Sequence, residues 1–233
     1  MAKTVPKITL YTNHRCPWAH RAHIALAELK LDFETVIIDL STPRTPEYLA
    51  INPRGLVPTI KYNDQIITES AIVAQFLADA HPSHLLKTSN EDGGALQRAR
   101  IAFFVDTFFS KALANQFAII KATSKEEKEE LGAKLTEVLV KEIEPLLADA
   151  APFFGGSSRL TLAEVQTGSF VLRLLSFPKY EGLFPANLLK EWEQKTPNFW
   201  KWANAVVKEE SVNGIWDEKA VAEGTLARFT SKV

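Results

Sequence analysis

The start of the chain shows two hydrophobic periods in succession. Residues 8–11, Ile-Thr-Leu-Tyr, alternate apolar and polar side chains, which predicts a short half-buried strand. Apolar side chains then recur at helical spacing, as at Ala22 and Leu26, which predicts a helix that ends near Lys30. The β-branched run over residues 33–39 predicts a second strand. Two parallel strands joined through a helix form a right-handed βαβ unit.

A hairpin and another helix follow this unit. Residues 52–55, Asn-Pro-Arg-Gly, have the composition of a tight turn, and a short helical turn precedes them. The strand-like runs 57–62 and 65–68 are separated by Asn-Asp, which predicts a hairpin. A helix is predicted from there to about Asp79. The order β-α-β-α-β-β-α therefore fills the first part of the chain.

The remainder of the chain is helical in its periodicity. The polar residues 84–94 include Glu-Asp-Gly-Gly and predict a linker. Ser124 and Thr161 each stand three positions before a glutamate, the capping-box spacing that starts a helix. The predicted helices in this part include residues 96–122, 124–147, 188–193 and 198–208. We therefore predict an α/β domain over residues 1–83, a linker over 84–94 and an all-helical domain over 95–233.

Composition and charge are those of an ordinary globular protein. The 233 residues are 46% hydrophobic and 24% charged, with a net charge of −1, so neither nucleic acid nor an acidic membrane is expected as a partner. No apolar run approaches the about 20 residues of a membrane-spanning helix, and we expect no signal peptide. The single cysteine excludes an internal disulfide and fits a reducing compartment, which predicts a cytoplasmic protein.

That cysteine, Cys16, stands between the first strand and the first helix. Pro17 suits the first helical position, which places Cys16 at the N-cap, near unpaired N–H groups and partial positive charge. With Arg15 beside it, the thiol is expected to have a pKa of about 3.5–7.5 instead of about 8.5. The alternative is a buried cysteine that acts as a small hydrophobe. Ala19 stands where a dithiol motif has its second cysteine, so any disulfide must form with another molecule, for which a small cellular thiol is the natural candidate.

Other polar and special residues have competing interpretations. Pro58 indicates either an edge position or a cis peptide bond after Val57. Ser70 is explained by helix capping alone, whereas a carboxylate at Glu69 is not. The five histidines show no metal-ligand spacing with Cys16, so no metal site is predicted. His20 and His23, on the first helix, are interpreted as solvated or capping residues and not as catalytic ones.

Four short motifs together resemble the cytosolic glutathione transferases, and within them the cysteine-type, omega-like group. They are Cys-Pro-Trp-Ala at residues 16–19, Asn-Pro-Arg-Gly-Leu-Val-Pro at 52–58, Glu-Ser-Ala-Ile at 69–72 and Phe-Phe-Gly-Gly at 153–156. The resemblance covers nearly the whole chain. It implies a thioredoxin-like α/β N-terminal domain followed by an all-α helical bundle.

The resemblance also implies roles for individual residues. Cys16 would face the sulfur of glutathione, which serves as co-substrate, and the Val57 backbone would pair with its cysteinyl unit beside a cis Pro58. Glu69 and Ser70 would bind the γ-glutamyl amine and carboxylate. The residue for the glycine carboxylate stays open, because the family spacing falls on Thr45 and places Arg44 next to it.

The activity implied is glutathione-dependent thiol transfer, deglutathionylation or dehydroascorbate reduction through Cys16. One alternative is an activity like that of the glutathionyl-hydroquinone reductases, which share the residues 16–21. Another is glutathione S-conjugation, for which Tyr11, Thr12 or Ser70 would supply a hydroxyl. A third, of another class, is a non-catalytic binding or regulatory protein on the same fold.

The second-substrate pocket is the least patterned part of the sequence. Trp18 lies beside the thiol, Phe104 and Phe108 lie one turn apart on the long predicted helix, and Trp216 is placed to close the pocket. Core packing is the slightly favoured interpretation of the two phenylalanines. The long helices have more apolar residues than one small helical bundle needs to bury. Together with the resemblance, this predicts a homodimer.

Overall fold

The computed structural model of the chain describes residues 5–230. The predicted α/β domain followed by a mostly helical domain is confirmed. Residues 1–4 and 231–233, the outer ends of the two predicted domains, lie outside the described residues. Within residues 5–230, no helix is both long and apolar enough to cross a membrane.

The N-terminal part is built on a four-stranded mixed sheet in the order β2-β1-β3-β4. Its strands are β1 (Ile8–Thr12), β2 (Glu34–Ile37), β3 (Thr59–Tyr62) and β4 (Gln65–Thr68). β1 pairs in parallel with β2 and antiparallel with β3, so Leu10 lies between Thr35 and Ile60. The predicted alternation is confirmed, because Ile8, Leu10 and Thr12 are the buried positions of β1.

Helices cover this sheet and form the rest of the molecule. The first three are α1 (Pro17–Glu28), α2 (Pro46–Ile51) and α3 (Ser70–Ala80). They are followed by α4 (Gly94–Thr107), α5 (Ala114–Lys121), α6 (Lys125–Val138), α7 (Leu162–Ser176), α8 (Leu188–Lys195), α9 (Pro197–Val206), α10 (Glu210–Asn213) and α11 (Glu218–Thr230). A π-helical segment, Phe108–Leu113, joins α4 to α5 where one continuous helix was predicted.

Helix α7 lies at the centre of the molecule, and every one of its residues is buried. It begins with the predicted capping box, in which Thr161 and Glu164 satisfy each other's backbone N–H groups. The Glu164 carboxylate also accepts hydrogen bonds from the Phe154 backbone at 2.8 Å and the Trp202 indole at 2.7 Å. The Thr161 hydroxyl is the fourth donor to this carboxylate, at 2.7 Å. A buried carboxylate with four donors fixes α7 against its neighbours.

The segment between α3 and α4 is anchored to the helical part. The linker was predicted from its polar composition, yet Leu85 and Leu86 are buried and join the core. The Leu85 carbonyl accepts a hydrogen bond of 2.8 Å from the backbone of Leu162, the first residue of α7. One apolar cluster extends from Ile8 on β1 to Ala222 on α11. The sheet and the helices thus share a continuous core, and α1 packs directly on α7.

Candidate active site

Cys16 occupies the predicted N-cap of α1, with Pro17 at the first helical position. Asn13 shapes the loop in front of it. The Asn13 carbonyl accepts from the Cys16 N–H at 3.0 Å, and its side chain accepts from the Arg15 N–H at 3.0 Å. The Asn13 amide donates to the Ile38 carbonyl at 3.0 Å, which ties the loop to the end of β2. The position of the thiol is therefore fixed by backbone hydrogen bonds on both sides.

The electrostatic environment of the Cys16 thiol combines burial with positive charge. Burial raises the pKa of the thiol above its ordinary value. The N–H groups of Ala19 and Trp18 and the charges of Arg173 and Arg228 oppose this effect and lower the pKa by less. The lowered pKa expected from the helix N-terminus is therefore wrong, because removal of the sulfur from water outweighs the helix and both arginines.

The Val57 backbone lies directly opposite the thiol. Cys16 Sγ is 4.0 Å from the Val57 carbonyl oxygen, and the Val57–Pro58 peptide bond is cis. Asn52 supports this segment by donating to the Leu56 carbonyl at 2.9 Å. In the described part of the chain, the Val57 N–H has no acceptor. An extended backbone placed beside Val57 would find both a donor and an acceptor there.

Glu69 and Ser70 lie together at the start of α3. Glu69 is the N-cap, has a positive φ of 67° and forms an ion pair with Arg54. Its side chain is 44% exposed, so the carboxylate remains accessible to a ligand. Ser70 is buried, and its hydroxyl oxygen accepts a 3.0 Å hydrogen bond from Arg21.

Arg21 was not identified from the sequence. It is buried, donates from Nε to the Gln166 carbonyl at 2.7 Å and lies over the Phe109 ring at 4.2 Å. Burial lowers its pKa to about 9, which leaves it charged at neutral pH. The available signal was a charged residue within the apolar stripe of a predicted helix, since such a residue must have a partner.

Arg173 on α7 is a second arginine that the sequence did not reveal. It is buried, donates to the Arg15 carbonyl at 2.9 Å and to the Ser169 carbonyl at 2.7 Å, and lies over the Trp216 ring at 4.9 Å. Burial lowers its pKa to about 10, opposed by the nearby Cys16. Arg173 thus joins the helical part to the loop that carries the thiol and brings Trp216 to the same place.

Aromatic side chains border the site, although not all of the predicted ones. Trp18 is 37% exposed and stacks on Phe109 at 5.6 Å. Phe104 and Phe108 were wrongly placed in the second-substrate pocket. Both are fully buried, and Phe104 packs on Phe154 at 4.8 Å. Phe109, which directly follows Phe108, is the phenylalanine that faces Trp18.

The two histidines of α1 also differ from their interpretation as solvated residues. His20 and His23 are buried, and burial lowers their pKa values to about 3 and about 4. His23 Nε2 lies 2.9 Å from the Thr12 hydroxyl in the core. Both are therefore neutral packing residues at neutral pH. Across residues 5–230, no group of His, Cys, Asp and Glu side chains is arranged to hold a metal ion.

Thr45 and Arg44, the two residues considered for binding a carboxylate near α2, both form hydrogen bonds within the protein. The Thr45 hydroxyl caps α2 by accepting from the Tyr48 N–H. The Arg44 guanidinium donates to the carbonyls of Gly55, Asp39 and Thr42 at 2.9, 2.8 and 2.6 Å. Arg44 therefore braces the loop before α2.

Comparison with known proteins identifies the family. The model for the glutathione S-transferase N-terminal domain matches residues 15–80. Glutathione S-transferase F10 of Arabidopsis thaliana is 31% identical over 170 residues, which are 69% of this chain and 74% of that protein. The chain belongs to the glutathione S-transferase family. It spans only 36 to 61% of the length of three other curated relatives.

Omega-class glutathione S-transferases are among the similar proteins. Glutathione S-transferase omega-1 of Sus scrofa is 27% identical, with 89% of this chain and 80% of that protein covered. The structure of glutathione transferase Omega 2C from Trametes versicolor superposes with a TM-score of 0.79 at 28% identity, over 97% of this chain and 99% of that one. The family match over residues 15–80 contains Cys16, Val57, Glu69 and Ser70, whereas Arg173 and Trp216 lie beyond it.

Proposed function

We propose that this protein is an omega-like, glutathione-dependent thiol transferase in which Cys16 is the nucleophile. The observation that carries the proposal is the position of Cys16 at the N-cap of α1, with its sulfur 4.0 Å from the Val57 carbonyl and under the positive charge of Arg173 and Arg228. The similarity to omega-class proteins supports it. A thiol at this point reacts through its thiolate form, whose fraction is set by the balance of burial and the arginines.

The arrangement around Cys16 suits glutathione as the co-substrate. The cysteinyl backbone of glutathione would pair with the N–H and carbonyl of Val57, next to cis Pro58, which places its sulfur against Cys16. The γ-glutamyl ammonium would bind the Glu69 carboxylate. The carboxylate of the γ-glutamyl unit would accept hydrogen bonds from the Ser70 hydroxyl and from the N–H groups at the start of α3.

The reaction is a two-step thiol–disulfide exchange. The Cys16 thiolate attacks the glutathione sulfur of a mixed disulfide, and the other thiol leaves with the electron pair of the broken S–S bond. A second glutathione, as thiolate, then attacks the Cys16–glutathione disulfide. Cys16 is released as a thiolate, and oxidised glutathione is the product. With no second cysteine in the chain, the resolving thiol must come from glutathione.

Conjugation of glutathione to electrophiles is expected to be the weaker activity. It requires a free hydroxyl that stabilises the glutathione thiolate. The Thr12 side chain is fully buried and bonded to His23, and the Ser70 hydroxyl is the proposed donor to the γ-glutamyl carboxylate, not to the sulfur. The Tyr11 ring packs against the Tyr48 ring in a tilted arrangement, with ring centroids 5.6 Å apart.

The test is glutathione-dependent reduction of the cysteine–glutathione mixed disulfide, coupled to NADPH oxidation through glutathione reductase. Cys16→Ala should lose the activity while keeping its fold, because the Cys16 side chain makes no capping hydrogen bond and even a lost cap costs only about 1 kcal/mol. Cys16→Ser should lose it too, and should gain some conjugating activity towards an aryl halide. Retention of most of the reductase activity in folded Cys16→Ala would exclude Cys16 as the nucleophile.

The compartment and the assembly follow from the same proposal. A single thiol that must stay reduced suits the cytoplasm, where glutathione is abundant in its reduced form.

We propose a homodimer, in which the α/β part of one subunit packs on the helical part of the other.

A further inference from the structure

Three arginines converge on the space beside Cys16, and none is paired with a carboxylate in the part of the chain that the structure describes. Arg15 precedes the thiol, Arg173 comes from α7 and Arg228 comes from α11. Arg173 and Arg228 both lie close enough to lower the pKa of the Cys16 thiol. Three other arginines, Arg54, Arg98 and Arg100, are each paired with a carboxylate.

The positions of these side chains follow from α11. Arg15 Nη1 lies 3.9 Å from the point that a Cβ on Gly224 would occupy, so the Arg15 side chain rests against this helix. Arg228 is four residues beyond Gly224 and therefore lies on the same face of α11. The Arg15 side chain therefore packs on the face of α11 that carries Arg228.

The acidic residues of this region face elsewhere. Glu218 pairs with Lys179 at 3.1 Å and accepts from the Tyr180 hydroxyl at 3.4 Å. Glu223 pairs with Lys219 at 3.8 Å. Burial raises the pKa of Tyr180, and the charges of Glu218, Glu223 and Asp217 raise it further, so these carboxylates lie on the Tyr180 side of α11. The acids therefore do not neutralise the arginines beside Cys16.

The positive charge of Arg173 is buried, and no described residue places a negative counter-charge beside it. It is almost fully buried, and its guanidinium has two carbonyl oxygens and the Trp216 ring as partners. Carbonyl dipoles satisfy its hydrogen bonds but supply no negative charge, and a buried charge without a counter-charge is destabilising. An anion that arrives with a substrate would supply that charge.

We propose that the pocket beside Cys16 selects second substrates in which an aromatic ring carries a carboxylate. The ring would lie between Trp18 and Trp216, and the carboxylate would bind the exposed Arg228 guanidinium, with the buried positive charge of Arg173 favouring it from behind. This inference rests on the proposed function, since it names the substrate class of that site. In thiol transfer, the leaving group would be an aryl thiolate, which takes the electron pair of the broken S–S bond and carries the carboxylate away with it.

The test compares two unreactive glutathione thioethers of equal shape, S-(4-carboxybenzyl)glutathione and S-(4-carbamoylbenzyl)glutathione, by calorimetric titration. The first has the anionic group and the second a neutral amide. At low salt the wild-type protein should bind the carboxylate about tenfold more tightly, the effect of one charged hydrogen bond. Arg228 is exposed, and in Arg228→Gln the ratio of the two affinities, carboxylate over amide, should fall towards one. Arg173→Gln should lower it as well.

The control is Arg159→Gln, which removes an exposed arginine remote from α11 in sequence and should leave the ratio unchanged. Equal affinity of the wild-type protein for the two thioethers would overturn the inference, as would an unchanged ratio in Arg228→Gln. Reduction of the mixed disulfide of glutathione with the neutral 4-mercaptobenzamide tests the proposed function separately. Turnover of that compound with equal thioether affinities would contradict the charge selection alone, and binding of neither thioether would contradict both.

Discussion

Arg21 donates a 3.0 Å hydrogen bond from Nη1 to the hydroxyl oxygen of Ser70, which joins α1 to the first residue of α3. Because this oxygen accepts from Arg21, the hydroxyl hydrogen of Ser70 is free to donate to a ligand. Arg21 also binds the Gln166 carbonyl, and the Gln166 amide donates to the Ala71 carbonyl at 3.1 Å. The start of α3 is thus held from α1 and α7 together.

Arg21→Gln should weaken glutathione binding by about tenfold, because Ser70 would lose the charged donor that orients and polarises its hydroxyl. Arg21→Lys, which keeps the charge, should recover part of the affinity. Calorimetric titration with glutathione gives both values. The dipeptide Cys-Gly, which lacks the γ-glutamyl group, is the control ligand.

A loss of affinity for Cys-Gly equal to that for glutathione would show that Arg21 supports the fold alone. The same substitution in a Ser70→Ala background should have a smaller effect, since the two residues act on one carboxylate.

Glu69→Gln should lower the affinity for glutathione by about tenfold, as expected for the loss of one charged hydrogen bond to the γ-glutamyl ammonium. Arg54→Gln is the matched control, because it removes the ion pair with Glu69 and keeps the carboxylate. An equal loss in both variants would assign the effect to the ion pair. Unchanged affinity in Glu69→Gln would remove Glu69 from the site.

The Cys16 thiol should titrate above its ordinary pKa, because burial outweighs the arginines. The rate of alkylation by iodoacetamide should therefore rise with pH across the alkaline range. Arg173→Gln should move the midpoint higher still, since a positive charge beside the sulfur favours the thiolate. Arg159→Gln should leave it in place. A midpoint near neutral pH in the wild-type protein would contradict the dominance of burial.

Phe103→Glu should convert the proposed homodimer to a monomer. Phe103 and Leu96 lie two turns apart on one face of α4 and are 62% and 67% exposed. A stable dimer that covers them should bury more than about 1,200 Å² in total. Ile37→Glu, an exposed apolar position on β2 at the other edge of the sheet from β4, is the control. A wild-type mass of one chain by light scattering at micromolar concentration would contradict the dimer.

Local patterns were sufficient to predict much of the fold. The N-cap position of Cys16 follows from Pro17, and the start of α7 follows from Thr161 and Glu164, because these signals act within one helical turn. The strand alternation in β1 is equally local. The polar composition of residues 84–94 does not reveal that Leu85 packs into a core shared by both parts.

The features that local patterns missed depend on distant contacts. Arg21 binds Gln166, a residue 145 positions away, so no local pattern reveals the partner. Phe108 and Phe109 are adjacent, and a rotation of about 100° per residue decides which one enters the core and which one faces Trp18. The π-helical segment that begins at Phe108 alters that rotation. The raised pKa of Cys16 arises from burial by both parts of the fold, which outweighs the helix N-terminus that the sequence does show.

The most direct measurement of the central claim is the intact mass of the protein during a single turnover. The wild-type protein is mixed with an excess of cysteine–glutathione disulfide, quenched with acid within seconds and weighed by mass spectrometry, with Cys16→Ala in parallel. We expect one glutathionyl group on the wild-type chain, located on Cys16 by peptide mapping, lost when reduced glutathione is added and absent from Cys16→Ala. A wild-type chain that gains no mass, or gains cysteine instead of glutathione, would contradict the role of Cys16 as the nucleophile that accepts glutathione.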